Sequence, residues 1–572
     1  MSLNSTYGLL ANAPVPLLAS LTDSTFDALL AGLPSGAVVE IPQGVTISLG
    51  AAHTLTQMVT IQGKGKLLDT RATPTSAFLT IGPAASGTKI LCPLAGSVGG
   101  TYVANHHGIA IMGTDNGAGV APTFVTDVVV KSPEVSGFGS MAVYGEFVQD
   151  AILDIDHCRD LGYAGIIIAS AQNVGMRIRL LHDLTPGTAG NSYGMNYGRR
   201  DATSDLVRYP HSKNSFAYID VMYNAPLWDG LGVHGGDGIY LGYGTLYGVK
   251  HAFDIVGVTD ASGLTGFAPN NIIAVGGFAD SGVTDGSAGA GINIAGAYKT
   301  GVDTLGAPTE YAKGINVTTG TLRGYGPDGD TTQGAVYCHS TQGLVLDAGN
   351  IREASPYAVC MYHDNKNFTI KGVQAMDPWT TLGVVAGIVT IPSTYNTGWI
   401  LSASGTRGAK SATYVNNRGL YIVNDASNVI KLGVGADFSS ATTPIVGPVA
   451  SPFGTVILAP NGSVSAPAFS FGGDPDTGIF NHTANDLGFA AGGTMTAHMT
   501  ATSLFLSDGV SIAVGGTAGT MIGAGATSKL GFYGKTPIVQ RVTTAPDATD
   551  LASAIALVNE LKADLRALGF KA

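Results

Sequence analysis

The sequence predicts an all-β solenoid, a right-handed parallel β-helix, and three observations support that prediction. Glycine supplies 81 of the 572 residues and only 12% of residues are charged, while β-branched residues are abundant, which favours short strands joined by tight turns. Two strand patterns alternate along the chain. Their copies recur about every 22 residues, or about every 37 to 44 where a loop is inserted, as expected of stacked coils.

A short helix followed at once by a strand opens the regular part of the chain. Apolar residues in LTDSTFDALLAGLPSG have helical spacing after a candidate N-cap at Asp23 or Ser24, and the PSG that follows ends the helix. The end of a solenoid needs such a cover, because its terminal coil would otherwise expose core and an unpaired edge. This opening resembles the N-terminal cap of pectate-lyase-like β-helix proteins. We therefore expect a cap and the first coils over residues 21–100, after an attachment peptide at 1–20.

The second strand pattern is seven residues long and defines the face on which we expect a site. Its copies are MAVYGEF (141–147), AGIIIAS (164–170), SYGMNYG (192–198), DGLGVHG (229–235), HAFDIVG (251–257), AGINIAG (290–296), GAVYCHS (334–340) and YAVCMYH (357–363). Positions three and five are mostly apolar, so alternation turns them inward and sends positions four and six to solvent. The copy SYGMNYG fits worst. We expect the β-helix to span residues 101–390.

Acids, histidines and aromatics are concentrated in residues 228–257. Aligning the copies places Asp229 and His251 together at position one of adjacent coils. It also places His234 at position six, beside Asp254 on the next coil and Tyr197 on the previous one. Since parallel strands lie about 4.8 Å apart, these side chains are expected to form one outward-facing cluster.

This cluster has the residue types of a glycoside hydrolase site, which needs two carboxylates. The predicted catalytic residues are Asp229, Asp237, Asp254 and His234. Asp237 lies in the turn HGGDG, and Asp-Gly is also ordinary turn chemistry, so the aspartates have a structural alternative. The predicted substrate-binding residues are Tyr197, Trp228, His251, Arg199, Arg200 and Tyr240, the arginines reaching from a long loop.

The C-terminal part changes character after about residue 390, and we expect a separate β-rich region over 391–545. Its segment FGGDPDTGIFNHTANDLGFAAGGTMTAHMT (471–500) resembles a segment common in the C-terminal regions of bacteriophage tail fibres and tailspikes. In the last 27 residues, 546–572, apolar residues at alternating spacings of three and four predict a helix capped by Asp547 or Thr549. A lone helix of this length is marginal in water, so we expect it to bundle with copies of itself as a trimer.

Taken together, these features resemble a bacteriophage tailspike. The resemblance implies a homotrimer on the virion, attached to a tail or baseplate protein, that binds and often cleaves the surface polysaccharide of a host bacterium. Three functions stay open: an endoglycosidase acting on capsule, exopolysaccharide or O-antigen; a polysaccharide lyase; and a receptor-binding spike without catalysis.

Charge and cysteine usage exclude other classes of protein. A net charge of −11 argues against a nucleic-acid partner, which requires a basic surface. No apolar run approaches the roughly 18 residues of a membrane helix, so no membrane insertion is expected. The four cysteines are scattered without a CxxC pair, and neither a metal site nor a cofactor is predicted.

Overall fold

The computed structural model describes residues 14–570 except for 186–191, 199–204, 226, 260–265, 283–288, 298–309, 327–333, 355–356, 377–386, 407–417, 424–427, 437–442, 447–460, 472, 513–528, 530–531, 533–535 and 537–546. The chain divides into two compact units, Met1–Val456 and Ile457–Ala572. The first is built mostly from two long parallel sheets, and the second contains a small antiparallel sheet and a helix.

Sheet 1 has 20 strands. They are Val15–Pro16, Ala37–Ile41, Thr46–Leu49, Val59–Gly63, Lys66–Asp69, Lys89–Leu91, Leu94–Ala95, Val129–Ser136, Ile152–Arg159, Gly175–His182, Phe216–Tyr223, Tyr240–Tyr247, Ile273–Asp280, Asn316–Arg323, Val345–Asp347, Asn350–Arg352, Phe368–Lys371, Val373–Met376, Thr397–Thr406 and Val429–Ala436.

Sheet 2 has 14 strands and includes every copy of the seven-residue pattern. They are His53–Leu55, Leu79–Ile81, Ile109–Met112, Met141–Glu146, Ala164–Ala169, Tyr193–Gly198, Asp229–His234, His251–Val256, Ile292–Ala295, Val336–His339, Tyr357–Met361, Gly387–Ile391, Arg418–Ile422 and Thr443–Val446. Three two-stranded pairs accompany the long sheets: Val125–Thr126 with Val148–Gln149, Val258–Thr259 with Gly266–Phe267, and Ala312–Lys313 with Thr341–Gln342.

Between successive strands of sheet 2 the chain contributes one or two strands to sheet 1, and each strand of sheet 2 pairs in parallel with the next strand of that sheet. Leu231 lies opposite Phe253, which lies opposite Ile292, and all three are fully buried in one continuous apolar core. This arrangement is consistent with a parallel β-helix, and stacking identical positions on successive coils explains how so glycine-rich a chain buries a core.

Position two of the pattern departs from simple alternation. Asp229 pairs with His251 at position one and Leu231 pairs with Phe253 at position three, while position two between them is skipped. A Cβ atom added to Gly230 would lie 2.7 Å from the buried side chain of Leu246, so position two faces the core as position three does. Position one therefore shares the outer face with positions four and six.

The predicted N-terminal helix is present, but its N-cap residue is Thr22 rather than Asp23 or Ser24. The helix Asp23–Gly32 begins after Thr22, whose N–H donates to Thr25 Oγ1 at 2.8 Å, and it buries Phe26 and Leu30 against the core. Val15–Pro16 already pairs with Ala37–Ile41, so the end of the expected attachment peptide belongs to the first coil. Residues 1–13 lie outside the described residues.

The predicted boundary at residue 390 is wrong, because parallel stacking continues beyond it. Thr397–Thr406 pairs with Val429–Ala436 in sheet 1, and Arg418–Ile422 pairs with Thr443–Val446 in sheet 2. The repeats in this part carry weaker alternation, which is why the sequence pattern ended too early.

The second unit contains a five-stranded antiparallel sheet and the C-terminal helix. The strands are Phe469–Phe471, Asp474–Thr483, Asp486–Ala491, Thr494–Met499 and Leu504–Leu506. The helix Leu551–Leu568 is capped by Asp550, one residue after the predicted Thr549, and ends at Gly569 with φ of +96°. None of its residues is buried within one chain.

Two α-helices and the short 3₁₀ helix Pro83–Ala85 are the helical elements among the described residues. Neither α-helix is long and apolar enough to cross a membrane.

Candidate functional site

The outer face of sheet 2 brings Asp229, His234 and Asp254 together. One ligand atom from each, a carboxylate oxygen or an imidazole nitrogen, lies within 4.8 Å of those from the other two. The two aspartates come from adjacent coils, at positions one and four, and the inward turn at position two is what places both on the same face. Two of the three predicted catalytic aspartates therefore meet.

Asp254 is held as a carboxylate by donors on both sides. His234 Nε2 lies 3.1 Å from Oδ2, and Asn293 on the following coil donates its Nδ2 to Oδ1 at 2.7 Å. Burial, the largest influence, opposes ionisation, but the hydrogen bond and charge of His234, the charge of His251 and the Asn293 bond outweigh it and lower the pKa of Asp254. The predicted contact between His234 and Asp254 is confirmed.

The surroundings of Asp229, unlike those of Asp254, disfavour the ionised carboxylate. Asp229 is only 1% exposed, and its buried Oδ1 has no hydrogen-bond partner among the described residues. Burial first, and then the negative charge of Asp254, raise its pKa well above the ordinary value, although Lys250 opposes the shift. The pKa values of the two carboxyl groups are therefore displaced in opposite directions, upward for Asp229 and downward for Asp254.

Trp228, Lys250 and His251 form a rim beside Asp229. The ammonium of Lys250 lies 3.3 Å from the centroid of the Trp228 ring, and Trp228 is 39% exposed. His251 pairs with Asp229 across the two strands, as predicted, and its Nδ1–H donates to the carbonyl of Ala290. Burial, the largest influence, lowers the pKa of His251. The rim offers one aromatic face and one cation to a ligand.

Tyr197 does not face this site, which corrects the predicted contact with His234. The strand register pairs Tyr193 with Asp229 and Tyr197 with Val233, one residue away from the alignment expected of SYGMNYG. Tyr197 is fully buried, and its hydroxyl donates to the backbone carbonyls of Val174 and Phe216. It therefore lies inside the solenoid, where it cannot contact a surface ligand.

Tyr193 takes the place that was expected for Tyr197. Its ring lies edge-on to His234, with the centroids 5.7 Å apart, and the ring of Tyr163 follows at 6.4 Å. Tyr102 continues this row, 5.8 Å from Tyr163. The sequence analysis missed all three, and the signal that could have found Tyr193 was that shifting SYGMNYG by one residue restores an apolar position three.

Asn196 is a second residue that the alignment missed. It occupies position four, beside Gly232 on the next coil. A Cβ atom at Gly232 would lie 2.6 Å from Asn196 Oδ1, so the glycine makes room for this amide. Within the described part of the chain that oxygen is buried without a hydrogen-bond partner, like Asp229 Oδ1, so two acceptors there are unsatisfied close to the acid pair.

The remaining predicted residues lie elsewhere. Asp237 is in the turn after Asp229–His234, where its Oδ1 accepts a hydrogen bond from Asn271 at 3.0 Å. Tyr240 belongs to sheet 1, between Phe216 and Ile273, and so does not share the face of the acid pair. Arg199 and Arg200 lie outside the described residues. The catalytic role of Asp237 stays a prediction.

A divalent cation would find a possible ligand set in Asp229, His234 and Asp254, because each offers one atom within 4.8 Å of the others. The raised pKa of Asp229 favours a proton shared between Asp229 and Asp254 over a metal ion at this place, and the sequence analysis predicted no metal.

Comparison of the chain with protein-family models, with curated proteins and with solved structures finds no match. The function must therefore be inferred from the site itself.

Proposed function

We propose that this protein is a bacteriophage tailspike that depolymerises a bacterial surface polysaccharide, with Asp229 and Asp254 as the catalytic pair. The observation that supports the proposal is that two carboxyl groups on adjacent coils lie close together while their pKa values are displaced in opposite directions. Such a division is what general acid catalysis beside an ionised carboxylate requires.

In this mechanism protonated Asp229 donates to the glycosidic oxygen as the bond to the anomeric carbon breaks. Ionised Asp254, oriented by His234 and Asn293, attacks the anomeric carbon to form a glycosyl ester, which water then cleaves as Asp229, now a carboxylate, takes a proton from that water. The nearest oxygens of the pair lie within 4.8 Å, which favours retention, since retaining enzymes place their carboxyl groups about 5 to 5.5 Å apart and inverting ones roughly 6.5 to 9.5 Å. Trp228 and Tyr193 would stack on sugar rings.

A polysaccharide lyase is the second candidate, and Lys250 is the observation that favours it. Burial lowers the pKa of this ammonium, which lies beside the acid pair and would attract the carboxylate of a uronic acid. Both candidates share the same face of the solenoid.

The deciding experiment incubates the protein with capsule, exopolysaccharide and lipopolysaccharide from candidate hosts and measures polymer size. Shorter chains with new reducing ends support hydrolysis, and products that absorb in the near ultraviolet support a lyase. Binding with no change in size would leave a receptor-binding spike. Chelator treatment belongs in the same assay, because loss of cleavage in EDTA with recovery on adding a cation would overturn the metal-free acid pair.

We also propose that the solenoid is right-handed, as crossovers between parallel strands nearly always are, and that the chain forms a homotrimer attached to a tail or baseplate protein. The C-terminal helix supports the trimer, since Leu551, Val558 and Leu561 are 78%, 62% and 58% exposed on one chain. Truncation before residue 546 is expected to reduce the yield of trimer in light scattering. An unchanged yield would remove that role from the helix.

A further inference from the structure

The second unit contains a cluster of metal-ligand residues that the proposed function does not use. His482 lies near the end of the strand Asp474–Thr483, Asp486 begins the strand Asp486–Ala491, and His498 lies in Thr494–Met499. His498 pairs with Gly488, two residues after Asp486, so His498 and Asp486 project from the same face of the sheet. A two-residue turn returns the chain so that Thr483 pairs with Asp486, which brings His482 to the same point.

The three side chains converge on the carboxylate of Asp486. His482 Nδ1 lies 3.0 Å from Oδ2, and His498 Nδ1 lies 2.9 Å from the same oxygen and 3.0 Å from Oδ1. One nitrogen or oxygen of each residue lies within 4.8 Å of the other two. Two imidazoles and a carboxylate are a common ligand set for zinc and related divalent ions.

The separations suit one central ion. Ligands bonded to zinc at about 2.0 to 2.2 Å lie roughly 3.0 to 3.4 Å from each other, so the rings need to move only slightly outward. The side chains of His482 and His498 are 34% and 20% exposed, which leaves the cluster open to solvent and to a further ligand.

Two aromatic residues fix the planes of the histidine rings. Phe505 stacks on His498, with centroids 4.6 Å apart and planes at 8°, and Phe480 meets His482 edge-on at 6.1 Å. Fixed ring orientation is what a metal centre requires of its supporting residues. From this geometry we propose that His482, Asp486 and His498 bind one zinc ion or a similar divalent transition ion, which ties three strands of the antiparallel sheet together.

The competing explanation is that both histidines only donate hydrogen bonds to Asp486. The sequence analysis predicted no metal, and the three ligands are separated by four and twelve residues, a spacing that matches no short zinc motif. The two explanations differ in stoichiometry, since only a metal site takes up one ion per chain, and in the imidazole nitrogens, which must be free of protons to bind an ion.

The test uses the full chain, stripped with EDTA and dialysed against Zn²⁺, with bound metal counted by mass spectrometry. One ion per chain is expected, with affinity at least tenfold lower in His498→Gln and His482→Gln. His234→Gln reports on the cluster in sheet 2, and His157→Gln, at an exposed position of sheet 1, is the matched control; both are expected to bind as the unmodified chain does.

Co²⁺ absorption of the unmodified chain gives a readout that does not depend on whether a variant folds. A visible d–d spectrum that saturates at one equivalent and is displaced by Zn²⁺ supports the site. The proposal is overturned by absence of stoichiometric binding to the unmodified chain, by binding that survives in both His482→Gln and His498→Gln, or by loss of the ion in His234→Gln instead.

Discussion

The outer faces of sheet 1 and sheet 2 both carry acids on neighbouring coils, but these acids differ in their burial and in their hydrogen-bond partners. On sheet 1, Asp220 accepts from Arg177 at 2.7 Å and Asp156 pairs with Arg179, with all four side chains partly open to solvent. On sheet 2, the side chain of Asp254 is 9% exposed, and no arginine among the described residues is one of its hydrogen-bond partners. Exposed acids with arginine partners are most simply explained as a ladder that holds the coils in register.

The comparison shows that both sheets contain acids. What distinguishes the candidate site on sheet 2 from the arginine-paired acids on sheet 1 is the burial of the acids and the identity of their hydrogen-bond partners. Burying a carboxyl group beside another carboxyl group is unfavourable unless something else is gained. Asp229 bears that cost with no cation in hydrogen-bonding contact among the described residues, and in the proposed mechanism it would be the proton donor. Each prediction below tests this contrast.

The largest expected effect is on catalysis. Asp229→Asn and Asp254→Asn are each expected to lower kcat/KM by roughly 10² to 10⁴, because each removes one half of the acid and base pair. Asp220→Asn is the matched control and is expected to retain most activity in the same polymer-sizing assay. Equal loss in Asp220→Asn would mean that the active face has been assigned to the wrong sheet.

The pH dependence of kcat/KM follows from the two displaced pKa values. Activity is expected to rise with pH through the lowered pKa of Asp254 and to fall with pH through the raised pKa of Asp229, giving a bell-shaped profile. Because the groups interact, both limbs report apparent values of the pair. A profile with no alkaline limb would argue against Asp229 as the proton donor.

Two tyrosines, one on each sheet, test which face of the solenoid binds substrate. Tyr193→Ala is expected to raise KM about tenfold, the cost of losing one stacking surface. Tyr240→Ala on sheet 1 is expected to leave KM unchanged, although both side chains are tyrosines beside strands of the same solenoid. Similar KM values for the two variants would remove Tyr193 from the binding surface.

The smallest expected effect is a gain in stability. The folded-state pKa of Asp229 is raised above that of the unfolded chain, so its favourable contribution is complete below the unfolded pKa and is lost as the pH rises through the folded pKa. At neutral pH, Asp229→Asn is therefore expected to raise Tm by roughly 2 °C in calorimetry, while near pH 3 the difference disappears. Asp220→Asn should not raise Tm at either pH.

Much of the fold and part of the site could be predicted from sequence because the repeat has a definite register. The contacts of Asp229 with His251 and of His234 with Asp254 followed from aligning two good copies. The error at Tyr197 has the same origin, because a one-residue slip in a poor copy moves every side chain to the other face. The inward turn at position two depends on packing that no periodicity reveals.

The metal cluster of the second unit was out of reach for a different reason. Its histidines and aspartate meet through antiparallel pairing with irregular register, which linear spacing does not encode. Linear spacing also gave no sign of Lys250. This residue immediately precedes position one of its strand, and its ammonium lies over the Trp228 ring beside the site.

The origin of the acid pair on two consecutive coils has an evolutionary consequence. A solenoid grows or shrinks by whole coils, each of which shifts the remainder by about 4.8 Å without rebuilding it. A duplication of a coil outside the four strands that contain Tyr193, Asp229, Asp254 and Asn293 would lengthen the solenoid. It would leave the acid pair and its neighbours unchanged. The length of the solenoid can thus change independently of the residues in the proposed site.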